Sequence, residues 1–162
     1  MFVLGIDPGV SRCGYCVLEK AGSRTRPVAI GVLTTKPDVA LPVRLAEIAG
    51  EVAQLFDEYR PDALAIERVL FQVNVRTAMS VGQVSGLCMV EAARRQISVT
   101  EYSPNQVKDA VVGYGAATKE QVQRMVQTIL GLAAPPRPAD AADAAAVALC
   151  HLAHAGLIGA VR

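Results

Sequence analysis

The sequence predicts an α/β fold, a mixed five-stranded sheet with helices on both faces. Three observations carry that prediction. The first third of the chain opens with three extended segments joined by turns. The remainder alternates helical and extended patterns. One later segment, "DALAIE", is almost wholly apolar, as a strand buried on both faces must be. A meander followed by strands reached through helical crossovers makes a mixed sheet with helices on both sides.

The elements follow in order. The extended segments cover 1–7, about 13–19, and 28–35 ("VAIGVLTT"), separated by a Pro-Gly turn and by "KAGSRTRP". "LPVRLAEIAGEVAQLFDEYRP" comes next, with Val43, Leu45, Ile48, Val52, Leu55 and Phe56 at helical spacing and Pro61 closing the helix. After the "DALAIE" strand, a long helix is expected over about 75–96, with Asn74 as its N-cap. "SVTEY" is the fifth strand. Ser103, Pro104 and Gln106 then form a capping box with proline at the first helical position. Thr118 and Gln121 repeat the device before a helix over 121–130 that ends at Gly131. "AAPPRP" is a stiff linker, and an alanine-rich helix over about 139–156 is the last element.

Composition narrows the function classes. A chain of 162 residues, 52% hydrophobic with mean hydropathy +0.32, reads as one domain, 1–162, with a real core. No run reaches the roughly 18 apolar residues needed to span a bilayer, and no signal-peptide pattern opens the sequence. No membrane association is expected. With 16 basic and 15 acidic residues, the charge balance neither demands nor excludes nucleic acid. Cys13 and Cys16 are spaced C-x-x-C, but "RCGYCVLE" reads as a strand, which puts the two thiols on opposite faces. Cys150 precedes His151 and His154, yet no further cysteine pair completes a zinc set, so the four cysteines read as core thiols. A reducing, cytoplasmic setting fits them.

The acidic residues are the informative ones. Asp7 ends the first strand and Glu67 the fourth. If those strands run parallel and adjacent, both acids lie at the carboxyl edge of one sheet, where open α/β sheets place their sites. Asp140 and Asp143, in "ADAADA", are three residues apart and share a helical face. An alanine-rich face lets that helix approach the sheet closely. Each acid also has an ordinary reading: Asp7 as a turn starter before Pro-Gly, Glu67 at a loop start, Asp140 facing a helix dipole, Asp143 at the surface. Four converging carboxylates raise each other's pKa values, a difficulty that divalent cations remove. Oxygen-only ligands favour Mg²⁺ or Mn²⁺. Two such ions about 4 Å apart activate a water and stabilise a leaving oxygen in phosphodiester cleavage.

These residues resemble the RuvC family of Holliday junction resolvases, which have the ribonuclease H-like fold. "GIDPGVSRCGY" is similar to its opening motif, "AIERV" to its glutamate motif, and "PADAADAAAVALCH" to its closing aspartate motif. "SPNQVKDAVVGYGAATKEQV" also matches, with its two lysines. The resemblance covers nearly the whole chain. It implies a homodimeric, Mg²⁺-dependent endonuclease with two ions per site and Mn²⁺ as a substitute. The implied metal ligands are Asp7, Glu67, Asp140 and Asp143, and Lys108 and Lys119 contact DNA or stabilise the transition state. Paired symmetric nicks in four-way junction DNA follow, with branch-migration motor proteins as partners. Two departures from the family pattern stand out. Many members carry an aromatic three residues after the glutamate, where this chain has Leu70 and the aromatic is Phe71. Some carry histidine where this chain has Asp140.

The residues themselves add modest support for DNA. Arg68, Arg76, Lys108, Lys119 and Arg124 fall near the expected site or on helix ends, and the capped helix starts offer N–H groups to phosphates. Phe71 is a base-stacking candidate or a buried anchor. Gly82, Ser85 and Gly86 permit close packing, against a second subunit or against the sheet. Two rival classes remain: a non-catalytic nucleic-acid-binding module of the same fold, and an actin-like ATP-binding domain. The second needs a further domain and more phosphate loops than 162 residues hold.

Overall fold

The computed structural model describes residues 1–68 and 75–160. Its elements are β1 (Phe2–Asp7), β2 (Arg12–Ala21), β3 (Arg24–Thr34), α1 (Leu41–Tyr59), β4 (Ala63–Glu67), α2 (Val75–Arg94), β5 (Ser98–Tyr102), α3 (Pro104–Val112), α4 (Lys119–Leu130) and α5 (Ala139–Ala160). The five strands form one sheet in the order β3-β2-β1-β4-β5. β1 pairs antiparallel with β2, and β2 with β3, while β1–β4 and β4–β5 are parallel. The expected mixed sheet is therefore present, with the meander on one side and the crossover strands on the other. β2 and β3 are longer than the sequence pattern suggests, because the hairpin turns within two residues at Gly22, whose φ is +60°. Pro27 lies opposite Leu18, next to the register shift at Val17/Leu18 on an edge strand, where a missing N–H costs no ladder bond.

Period-two alternation divides the sheet between two hydrophobic layers. Leu4, Ile6, Cys13, Val17, Leu64 and Ile66 face α1 and α2, where Ile48, Val52, Phe56, Val84 and Cys88 meet them. Val3, Cys16, Leu18, Ala65 and Tyr102 face α3, α4 and α5. Cys13 and Cys16 thus lie on opposite faces, as three-residue spacing in a strand requires. All four cysteines are buried and free.

The helix ends follow local chemistry. α1 stops at Tyr59 because Pro61 disfavours helical geometry at Arg60, which takes a left-handed conformation (φ 44°) and caps Phe56 O. Both capping boxes are formed. The Ser103 and Thr118 side chains accept from the N–H groups of Gln106 and Gln121, whose side chains accept in return from Ser103 and Thr118 N–H. Ser103→Ala should cost about 1 kcal/mol, read as a lower melting temperature; an unchanged melting curve would mean that the cap adds nothing. Asn74, the expected cap of α2, lies outside the described residues. Among the described residues no helix is long and apolar enough to cross a membrane.

α5 sits closest to the sheet. Gly5 pairs with Cys16 on one side and Ala65 on the other, so the strand row beneath the helix is small at its centre. A Cβ on Gly5 would run into Ala144 O and come within 2.8 Å of the Ala148 Cβ. A Cβ on Gly14 would run into the carbonyl of Asp140. Small residues on both surfaces let the helix backbone lie almost directly on the strands.

Candidate active site

The alternation that builds the core also aims the acids. Val3, Gly5 and Asp7 share one face of β1, and Ala63, Ala65 and Glu67 share the same face of β4. Ile6 is level with Ile66 in the parallel ladder, so Asp7 and Glu67 leave the sheet side by side. They leave it on the face covered by α5, whose first turns carry Asp140 and Asp143. The condition set by the sequence, parallel and adjacent strands, is met.

A cavity of about 200 Å³ opens there, bordered by Asp7, Glu67, Asp143, Lys108 and Lys119. Pro104 at the start of α3 also borders it, and Lys119 is the first residue of α4, so both capped helix starts reach the same space. Lys119 Nζ stands 2.8 Å from Asp143 Oδ2. The Asp7 carboxyl is pushed up to about 8, first by burial, then by Glu67, Asp143 and Asp140, with Lys119 acting against them. Glu67 is raised for the same reasons, burial first and Asp143 next, opposed by Lys119 and Lys108. The hydrogen bond to Asp143 raises the Lys119 ammonium in turn. This is a concentrated negative site in which one lysine is the principal internal counter-charge.

Asp140 stands to one side. It borders a second, larger groove, and its Oδ2 lies 3.6 Å from Arg12 Nε. Its charge still reaches Asp7 and Lys119. Arg68 is exposed just past the end of β4, held by its backbone N–H to Tyr102 O at 2.8 Å. Arg124 is exposed on α4, one turn from Glu120, which fits a solvated charge pair. Leu70 and Phe71 lie outside the described residues, as does the side chain of Arg76. Cys150, His151 and His154 make no metal set: Tyr102 Oη and His151 Nδ1 are hydrogen-bonded at 3.0 Å, and burial lowers the pKa of that imidazole.

The sequence reading missed Arg12. Its only signal was a basic residue on the turn after Asp7, a position with no periodicity to interpret. It also left open what Gly82 and Gly86 pack against. A Cβ on either would meet nothing, so these glycines do not serve the sheet, while Ser85 is buried and bonds back to Val81 O.

Among the described residues, no three His, Cys, Asp or Glu side chains are drawn close enough to hold an ion as they stand. The donor set nevertheless suits a hard divalent cation, being all carboxylate oxygen with no nitrogen or sulfur. Burial and the neighbouring carboxylates raise Asp7 and Glu67, and Lys119 pairs with Asp143, so the set is short of positive charge.

A sheet of this order, with helices on both faces and acids gathered at its carboxyl edge beneath α5, places the protein in the ribonuclease H-like class. Comparison with known proteins narrows the class. Residues 3–151 match the profile of the crossover junction endodeoxyribonuclease RuvC family. The crossover junction endodeoxyribonuclease RuvC of Syntrophomonas wolfei is 49% identical over 152 residues, covering 94% of this chain and 88% of that one. A structure of Thermus thermophilus RuvC superposes with a TM-score of 0.89 at 38% identity, covering 97% of this chain and 96% of that one. A second structure, T. thermophilus RuvC in complex with Holliday junction substrate, gives 0.91 at 37% identity with the same coverage. The chain belongs to the RuvC family.

Proposed function

We propose that the protein resolves four-way DNA junctions by divalent-cation-dependent cleavage of phosphodiester bonds, as a homodimer that nicks two strands symmetrically. The observation that carries this reading is the convergence of Asp7, Glu67 and Asp143 on one cavity, with Asp140 within electrostatic reach. A junction-bound relative, matched over 97% of this chain and 96% of its own, supports the substrate class. Asp7, Glu67, Asp140 and Asp143 are the residues to hold Mg²⁺, two ions per site, with Mn²⁺ as a replacement. When bound, such ions supply the charge neutralisation and water activation that phosphodiester hydrolysis needs.

The chain's own groups do the remainder. Lys119 and Lys108 border the cavity and meet the scissile phosphate's negative charge. The first amides of α3 and α4 add partial positive charge at the same place. With a cation held by Asp143, Lys119, now paired with that carboxylate, would be free to meet the phosphate. Arg68, Arg76 and Phe71 follow Glu67 in the chain and are the residues for strand and base contacts. α2 is the subunit-contact candidate: Met79, Gly82, Gln83 and Val90 are exposed along one side, and Gly86 has open space above it. A two-fold dimer matches a two-fold junction, and a motor that moves the branch point is the partner such an activity calls for.

The test is a four-way junction labelled on opposing strands, with and without Mg²⁺. Metal-dependent paired nicks with 5′-phosphate and 3′-hydroxyl ends are expected. Binding without nicking in Mg²⁺ or Mn²⁺ would point to a binding module, and ATP turnover without nicking to an actin-like domain.

A further inference from the structure

The second groove lies on the far side of Asp140 and has a volume of about 650 Å³. Ser11, Arg12, Arg44 and Asp140 contribute to its polar lining, and Ser80 and Gln83 of α2, the subunit-contact candidate, border it as well. Arg44, from the first turn of α1, is held there by two bonds to uncharged groups. Its Nε donates to Thr35 Oγ1 at 2.8 Å and its Nη2 to Ser11 Oγ at 2.7 Å. Thr35 is itself fixed, donating to Val10 O at 2.6 Å from a buried position. Among the described residues no carboxylate lies within ion-pair distance of Arg44. The guanidinium is thus oriented while its full charge stays uncompensated. Arg12, across the groove, makes a loose contact with Asp140, and its side chain is 61% exposed.

We infer that this groove is a second phosphate subsite, which takes a backbone phosphate of the DNA strand adjacent to the one being cut. Arg44 is its fixed cation and Arg12 its adaptable one. A fixed cation costs little to order on binding, and a guanidinium suits the forked geometry of a phosphate. Neutral anchors leave the charge of Arg44 to attract a phosphate, whereas Arg12 shares its charge with Asp140 in the same groove. The groove begins at Asp140, whose charge reaches Asp7 in the 200 Å³ cavity and which lies one turn of α5 before Asp143, so the two openings flank the same helix start. The inference rests on the DNA-cutting reading above.

The test measures binding to a four-way junction, without divalent metal, across a range of salt concentrations. The proteins are wild type, Arg44→Gln, Arg44→Lys and Thr35→Val. Losing one phosphate contact should reduce the slope of log affinity against log salt by about 0.9. Arg44→Gln should show that reduction, with about tenfold weaker binding near 0.1 M salt. Arg44→Lys, which keeps the charge, should retain most of the slope, and Thr35→Val, which removes only an anchor, should retain it all. An unchanged slope in Arg44→Gln overturns the subsite. Equal losses of affinity in Arg44→Gln and Thr35→Val with both slopes unchanged also overturn it, and assign Arg44 to holding the turn. A wild type that binds no junction overturns the functional reading and the subsite together, whereas the other two outcomes leave that reading standing.

Discussion

Asp7→Asn abolishes cutting, leaves junction binding within a few-fold of wild type, and stabilises the metal-free protein at alkaline pH. The first two effects are expected from the proposed role of Asp7, since asparagine removes a carboxylate charge from the site and leaves the lysines in place. The third follows from linkage. The folded protein holds the Asp7 proton up to about pH 8, whereas an ordinary aspartate releases it near 3.8. Between those values the folded state binds the extra proton, so the wild type loses stability as pH rises through this window. Asparagine has no proton to lose and escapes the penalty. The gain is absent near pH 4 and complete above 8. Even half of the displacement, allowing for partial solvent screening, amounts to about 2–3 kcal/mol. Melting curves in chelator at pH 5 and 8.5, paired with nicking assays in Mg²⁺, check both halves. Normal cutting would dismiss the metal assignment, and a pH-independent difference in melting would dismiss the electrostatic one.

Gly14→Ala should be the most damaging single methyl group in the protein. Its Cβ would land on the carbonyl oxygen of Asp140, lie 2.6 Å from the carbonyl carbon, and crowd the Ala144 Cβ at 3.3 Å. The first two are backbone atoms, so no rotamer change relieves them, and α5 has to lift from the sheet at the turn that carries Asp140 and Asp143. Overpacking of this kind costs about 3 kcal/mol. A displacement of about 1 Å at the acids costs about a hundredfold in rate. Gly50→Ala in α1 is the control, because its Cβ meets nothing within 4 Å and a helical alanine is favoured by about 1 kcal/mol. If Gly14→Ala melts and cuts like wild type, the tight seat of α5 is not what positions the acids.

Much of this arrangement was legible in the sequence, for identifiable reasons. Apolar runs that stop at an acid marked β1 and β4, and two capping boxes fixed the starts of α3 and α4. The alanine-rich face of the last helix announced its close approach, while the glycines beneath it, Gly5 and Gly14, gave no such signal. What stayed hidden had no periodic signal. The start of β3 at Arg24 looks like a turn because it is charged and contains Pro27; an edge strand pairs through its backbone whatever its side chains. Arg44 reaches Ser11 across 33 residues of sequence, a contact that only the folded sheet creates. The orientation of Gly82 and Gly86 depended on which side of α2 met the sheet, and composition is silent on that.

The four buried cysteines have a consequence for handling the protein. Burial raises every one of their thiols, Cys13 and Cys150 to about 12. The nucleophile in alkylation and oxidation is the thiolate, and at neutral pH almost none exists here. Cys13 and Cys88 lie in one layer, Cys16 and Cys150 in the other. A thiol reagent therefore samples both layers at once and is consumed only by molecules that have opened. The count of labelled sulfurs becomes an internal clock for unfolding.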